Sequence, residues 1–410
     1  MRLHSLTLTN IGPFDEASIE FLADGDTSGN VTLLTGANGT GKTIILDAIR
    51  TLFGSEFATV ERDIWRKGAV GGIRGDFSEP VEGRQSRFSI GVGPAAPPYY
   101  PVGLSVEVAT NVGRGAHPPP WVVDFWRSQL ANDAYAITSL AAINHRALFK
   151  GALQGVSSNA SVTQLLCHFD YLRDSRNARE RATGEALYAL AQKIVQMSLL
   201  DGELKEIERL TFTPIVRQGG HDVPLASISS GNAYLVQRMI TLLGRMYSLH
   251  VLRDGDPAKL HEASGLLLID EAENHLHPSW QKSLLPNVRE VFPNLQIIAA
   301  THSPFVVASV RDARVYVCHY DPTTRRTTVR EETAIYQNKP VDEILMSPAF
   351  DQTAPFGEPI STLLADRRLA MAKGDVATRD EIERRLVDLN PTYFGYLDLD
   401  RKIEALRKAG

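Results

Sequence analysis

With 410 residues, 43% hydrophobic and 22% charged, the chain has the make-up of a globular protein with a sizeable core, as one large α/β domain with insertions or two to three smaller domains. A net charge of −5 leaves no global basic field, so any contact with DNA must rest on a local patch. Cys167 and Cys318 lie far apart without C-x-x-C spacing, the opening Met1–Leu8 alternates like a strand and not like a signal peptide, and no apolar run approaches the ~20 residues of a membrane helix; the expectation is a cytoplasmic protein with no membrane partner.

In chain order, Leu3, Leu6 and Leu8, a turn at Gly12-Pro13, and Ala17–Phe21 read as paired strands, followed by a polar Asp24–Asn30 loop and a buried strand at Val31–Leu34. Gly36-Ala37-Asn38-Gly39-Thr40-Gly41-Lys42-Thr43 comes next, and a helix begins at Ile44. Arg62, Arg66 and Lys67 surround Trp65 before a glycine-rich turn at Gly68–Gly75, which reads either as a solvated edge over a packed ring or as a nucleotide or DNA contact. Residues 76–128 alternate short β-like runs, such as Arg87–Ile90 and Leu104–Val108, with proline-rich breaks and suggest an antiparallel lobe. From 131 to 209 the composition turns helical. Arg173, Arg176, Arg179 and Arg181 there make the best local candidate for a phosphate-facing stripe, although a solvated helix face is the plainer account. The stretch between Thr43 and Ser229 is too short for a long coiled-coil arm. Arg314–Tyr320 and Arg326–Val329 read as a hairpin; from Val341 the chain is helical, with Ile360–Lys373 ending at Gly374, a capping box at Thr378–Glu381 and a last helix at Leu397–Lys408.

The spacing G-x-x-x-x-G-K-T is that of a phosphate-binding P-loop. Asn38, Gly39, Thr40 and Gly41 let backbone N–H groups close around a phosphate chain, Lys42 reaches the β- and γ-phosphates, and the Thr43 hydroxyl suits Mg²⁺. Leu266–Ile269 is an apolar run delivering Asp270 and Glu271 to a strand end, where Asp270 suits the Mg²⁺ shell and Glu271 suits proton acceptance from an attacking water. Gln296–Ala300 similarly ends in Thr301-His302-Ser303-Pro304, placing His302 where it can bond a γ-phosphate. Ile228-Ser229-Ser230-Gly231-Asn232 opens an amphipathic helix with Leu235, Met239, Leu242 and Met246 on one face, and offers a hydroxyl and backbone N–H groups to an anion.

These pieces in this order resemble the ABC-type ATPases of the SMC and RecF-like branch. That resemblance implies an α/β fold, an ABC-type P-loop NTPase head with a mixed central sheet and antiparallel β lobe, a short helical insertion and a helical C-terminal tail. Residues 1–130 and 210–340 would form the head, 131–209 the insertion and 341–410 the tail. It further implies ATP and Mg²⁺, with Ser229 and Gly231 acting in trans on nucleotide held by a second copy, so that a homodimer or higher homo-oligomer forms through ATP-sandwiched heads. Asn232 and Ser230 depart from the family's L-S-G-G-Q signature, and Gln85 is the candidate for its Q-loop glutamine. Glu273-Asn274-His275-Leu276-His277-Pro278 looks like the D-loop of defence-type ABC ATPases, with metal ligation by His275 and His277 the lesser alternative. The tail is similar to that of Septu and retron-associated ATPases, which act beside a separate HNH nuclease; the overcoming-lysogenisation-defect family shares the head but continues into a Toprim domain. The implied function is a sensor or scaffold subunit of an anti-phage defence system controlling a separate effector, such as an HNH or Toprim nuclease. A RecF-like ATPase that clamps DNA directly, or a transporter subunit, are the alternatives.

Overall fold

A computed structural model describes residues 1–22, 31–53, 60, 62–81, 84–95, 120–127, 137–148, 152–155, 161–199, 201–350 and 356–398. Contacts divide the chain into two compact units, Met1–Ile344 and Leu345–Gly410.

The first unit opens with β1 (Arg2–Ile11) and β2 (Phe14–Glu20), then β3 (Val31–Thr35), α1 (Lys42–Leu52), β4 (Gly72–Val81), β5 (Arg84–Val92) and β6 (Val122–Trp126). Two helices follow, α2 (Val162–Arg173) and α3 (Ala178–Ser198), and then the short strands β7 (Gly202–Glu208), β8 (Thr213–Gln218) and β9 (His221–Pro224). The long α4 (Ser230–Arg253), β10 (Gly265–Ile269), α5 (Pro278–Val291), β11 (Leu295–Ala300), α6 (Pro304–Val307), β12 (Arg314–Asp321), β13 (Arg326–Glu331) and α7 (Thr333–Tyr336) complete it.

Six strands form the central sheet in the order β13-β12-β3-β11-β10-β6, parallel except for β13, which pairs antiparallel with β12. β3, β6, β10 and β11 are buried at every position, which is why each reads as a continuous apolar run and not as an alternation. A four-stranded antiparallel sheet, β2-β1-β4-β5, covers α1 by burying Leu3, Leu6, Leu8 and Ile11 in one core with Ile45, Leu46 and Ile49. Gln296 ties the two sheets: its side chain donates to the Leu3 carbonyl at 2.7 Å and accepts the Leu3 N–H at 2.8 Å, both ends buried. This pairing satisfies a backbone position that the ladder leaves open.

Three expectations are corrected. Val122–Trp126 does not belong to the antiparallel lobe; it pairs in parallel with β10 at the edge of the central sheet, a register set by contacts far away in sequence. The glycine-rich stretch ending at Gly75 is not all turn, since Gly72–Gly75 begin β4 and pair with β1. Helical character does not run to residue 209: β7 occupies 202–208, with Leu204 and Ile207 buried, in the separate sheet β7-β8-β9. Leu104–Val108 lies outside the described residues.

The second unit begins within α8 (Val341–Leu345) and contains α9 (Glu358–Lys373) and α10 (Val376–Leu389), with Leu363, Ile382, Leu386, Phe394 and Leu397 in its core. Gly374 closes α9 at φ +69. The cap of α10 is Asp375 and not Thr378: the Asp375 carboxylate accepts from the Thr378 N–H at 3.1 Å and from its hydroxyl at 2.7 Å. Of the predicted Leu397–Lys408 helix, residues 399–410 lie outside the described region.

Candidate nucleotide site

Neighbouring parallel strands bring their carboxyl ends to one edge, and the order β3-β11-β10 places three polar-ended strands side by side, about 4.8 Å apart. β3 runs into the P-loop, β10 into Asp270 and Glu271, and β11 into Thr301 and His302. The loop's turns need glycine. Gly36, Gly39 and Gly41 have φ of +132, +79 and +102, and a Cβ on Gly36 would come within 2.5 Å of the Cys318 carbonyl on β12. Asn38 and Gly39 are exposed at the loop's crest while Thr40 is buried, its hydroxyl donating to the Ala37 carbonyl at 3.0 Å.

Lys42 opens α1 and turns its amine back into the loop, donating to the Gly36 and Ala37 carbonyls, each at 2.9 Å. Burial holds its pKa below the usual lysine value, while Cys318, Glu273, Asp270 and Glu271 pull it upward, so these groups face one amine. Thr43 Oγ1 donates to Asp270 Oδ1 at 3.0 Å, bridging segments 227 residues apart. Adjacent ligands of an octahedral Mg²⁺ shell at about 2.1 Å also lie roughly 3 Å apart, so this pair of hard oxygen donors fits that ion. Asp270 is 8% exposed, and burial pushes its pKa up to about 6, opposed by the Thr43 bond. A cation at that position would return it to the ionised form.

Glu271 is exposed, in a left-handed conformation (φ +50), and accepts from the Asn274 side chain at 3.3 Å. His302 is half-buried; burial lowers its pKa first, the Lys42 charge lowers it further, and Glu271 and the Gly36 backbone act in the opposite sense. The structure thus brings Lys42, Thr43, Asp270, Glu271 and His302 to one place.

Ser229 and Gly231 open α4. Ser229 caps it by accepting the Asn232 N–H at 3.5 Å and is exposed. Gly231 lies against the D-loop, where a Cβ would come within 2.5 Å of the His275 carbonyl, and the Tyr234 ring stands 6.2 Å from that of His275. His277 caps α5 through Nδ1, with Pro278 in its first turn. No group of three or more metal-ligating side chains occurs among the described residues.

Two further residues stand out. Glu273 accepts from the Thr301 hydroxyl at 2.6 Å and the His302 N–H at 2.7 Å, so one carboxylate fixes the segment carrying the histidine; the signal available in sequence was a third acid three residues after Asp270. Gln154 sits in a turn held from both sides: Arg50 of α1 donates to the Leu153 carbonyl at 2.7 Å, and Arg238 of α4 reaches the Gly155 carbonyl at 3.5 Å. Gln85 falls on β5 of the four-stranded sheet, its side chain outside the described residues.

Three of the four arginines of the helical insertion have partners within the fold. Arg173 pairs with Asp170 at 3.1 Å and stacks 4.0 Å from the Tyr188 ring; Arg179 pairs with Asp254 and donates to the Gly255 carbonyl at 3.0 Å; Arg181 donates to the Ser175 carbonyl at 3.1 Å. In the Trp65 cluster, Arg66 is likewise spent on Asp15 and on the Gly12 and Phe14 carbonyls.

Fold and site together define an α/β head with a P-loop at the carboxyl edge of a mixed sheet. Residues 129–308 match the family described as "AAA domain, putative AbiEii toxin, Type IV TA system", and residues 5–90 match a second AAA domain family. The chain is 27% identical over 132 residues to "Retron Vc95 probable ATPase" of Vibrio cholerae serotype O1 biovar El Tor, across 31% of this chain and 25% of that protein. It is 30% identical over 135 residues to "Septu protein PtuA" of Bacillus thuringiensis, across 29% of this chain and 33% of that one. Among solved structures, the SMC head domain from Thermotoga maritima aligns over 81% of this chain and 99% of its own at 17% identity and a TM-score of 0.44. The chain spans a third or less of the curated relatives named here. No helix among the described residues is long and apolar enough to cross a membrane.

Proposed function

We propose that the chain binds and hydrolyses ATP, and that two heads join around the nucleotide to act as the sensor or scaffold subunit of an anti-phage defence system controlling a separate nuclease or other effector. The observation that carries this reading is the 3.0 Å bond between Thr43 and Asp270, with Lys42, Glu271 and His302 facing the same edge. Lys42 holds the β- and γ-phosphates, and His302 donates to the γ-phosphate. Thr43 and Asp270 hold Mg²⁺, which when bound offsets charge on the phosphate chain. Glu271, exposed at the strand end, takes the proton of the attacking water. Ser229 and Gly231, exposed or half-exposed on a capped helix start, reach the nucleotide of a second head. The likeness to a retron probable ATPase and to a Septu protein supports the defence setting.

Glu271→Gln tests the reading, because it removes the base while leaving charge pairs in the fold untouched. Turnover should fall about 10²- to 10⁴-fold while ATP binding persists, and light scattering should show a dimer that accumulates only with ATP and Mg²⁺. Self-association indifferent to ATP would reject the two-headed arrangement.

A further inference from the structure

Behind the segment carrying His302 lies an open groove of about 480 Å³ to which the nucleotide chemistry assigns no role. One wall is the end of α6 and the turn after it, beginning five residues beyond His302; the other is the Tyr336–Pro340 turn. Its floor is apolar, formed by Val307, Val310, Val315 and Tyr336, all buried. Its rim carries Arg311 and Lys339, both exposed, and no carboxylate lines it. Arg311 has no hydrogen-bond or ion-pair partner among the described residues. Lys339 meets Glu343 at 3.1 Å, but both are half-exposed, and such a pair is worth under about 1 kcal/mol and exchanges readily.

We propose that this groove docks a short segment of a partner protein in which leucine or phenylalanine side chains alternate with aspartate or glutamate. The apolar floor takes the hydrophobic anchors, and its size lies within the roughly 300–1,000 Å³ range of ligand pockets. The rim selects the charge: in a chain of net charge −5, a groove lined by unpaired Arg311, by Lys339 in an exposed pair with Glu343, and by no carboxylate favours an acidic occupant. Nucleic acid is the poorer match, because two cations are a small electrostatic footprint for a phosphate backbone.

Fluorescence anisotropy of two labelled decapeptides against the full-length chain tests this, one alternating Leu with Asp and Glu, the other alternating Leu with Lys. The acidic peptide should bind at least tenfold more tightly than the basic one. Arg311→Glu combined with Lys339→Glu should reverse that preference, and Ala308→Trp, which fills the groove from its wall, should weaken both peptides. ATP with Mg²⁺ should shift the melting temperature of each variant as it does the parent, which verifies folding and keeps this test separate from the nucleotide reading. Equal binding of the two peptides, an unaffected Ala308→Trp variant, or displacement of the acidic peptide by oligodeoxythymidine would overturn the proposal. So would loss of ATP-dependent self-association in Ala308→Trp, which would give the groove to a second copy of the chain.

Discussion

The carboxyl edge of the central sheet and the arginine-rich junction of α2 and α3 are both dense in charge, yet only the first gathers side chains from distant segments. At the edge, Lys42, Thr43, Asp270, Glu271 and His302 come from three strands and bond to one another or to their own loop. In the helical insertion, Arg173, Arg179 and Arg181 come from one stretch, and each is tied to a nearby carboxylate or carbonyl. Charge density therefore does not mark function here; convergence of distant segments on a buried strand edge does.

The strongest way to break that contrast is Lys42→Ala. ATP turnover measured by phosphate release should fall by at least about a hundredfold, and the stabilisation of the fold by ATP and Mg²⁺ in thermal melts should disappear. Because the amine bonds only within the P-loop, the melting temperature without nucleotide should stay close to that of the parent. A variant that still hydrolyses ATP would remove the edge's claim.

The insertion has a different vulnerability. His168 on α2 bonds the Tyr247 hydroxyl of α4 at 3.0 Å, and burial, with the charge of His145 second, holds its pKa down to about 4. Above pH 6.5 the group is neutral whether folded or unfolded and stability is unaffected. As pH falls below 6.5 the unfolded chain takes up a proton that the folded chain refuses, so stability declines until about pH 4, by at most about 3 kcal/mol. Urea unfolding at pH 7.5 and 5 should show the loss, and His168→Gln should make it shallower. An equally steep decline in that variant would clear the histidine.

The smallest effect is expected from changing Arg173, Arg176 and Arg179 together to alanine. None of the three bonds any residue of the nucleotide site, so turnover with or without DNA should stay within about twofold of the parent. DNA-stimulated turnover that vanished in this variant would erase the distinction and favour direct clamping of DNA.

Sequence was informative where one residue type could do only one thing. The P-loop glycines, the Leu266–Ile269 and Gln296–Ala300 runs, and the Ser229 cap are local signals, and each element forms as its residues dictate. Val122–Trp126 was misread because membership of a sheet depends on a partner 143 residues away, the pairing of Gly265 with Val122, and not on local propensity. Thr378 looked like a cap because it precedes Glu381 by three, yet Asp375 captures it through two oxygens. Gln154 stands in a turn with no periodicity; only the arginines of α1 and α4 reveal what holds it.

The missing side chain at Gly231 has a mechanical meaning. With its α-carbon pressed on the His275 carbonyl, the start of α4 and the loop after β10 interlock without room for even a methyl group. A push on one is delivered to the other with no slack, so pressure on the serine turn would reach directly to the backbone a few residues beyond Glu271.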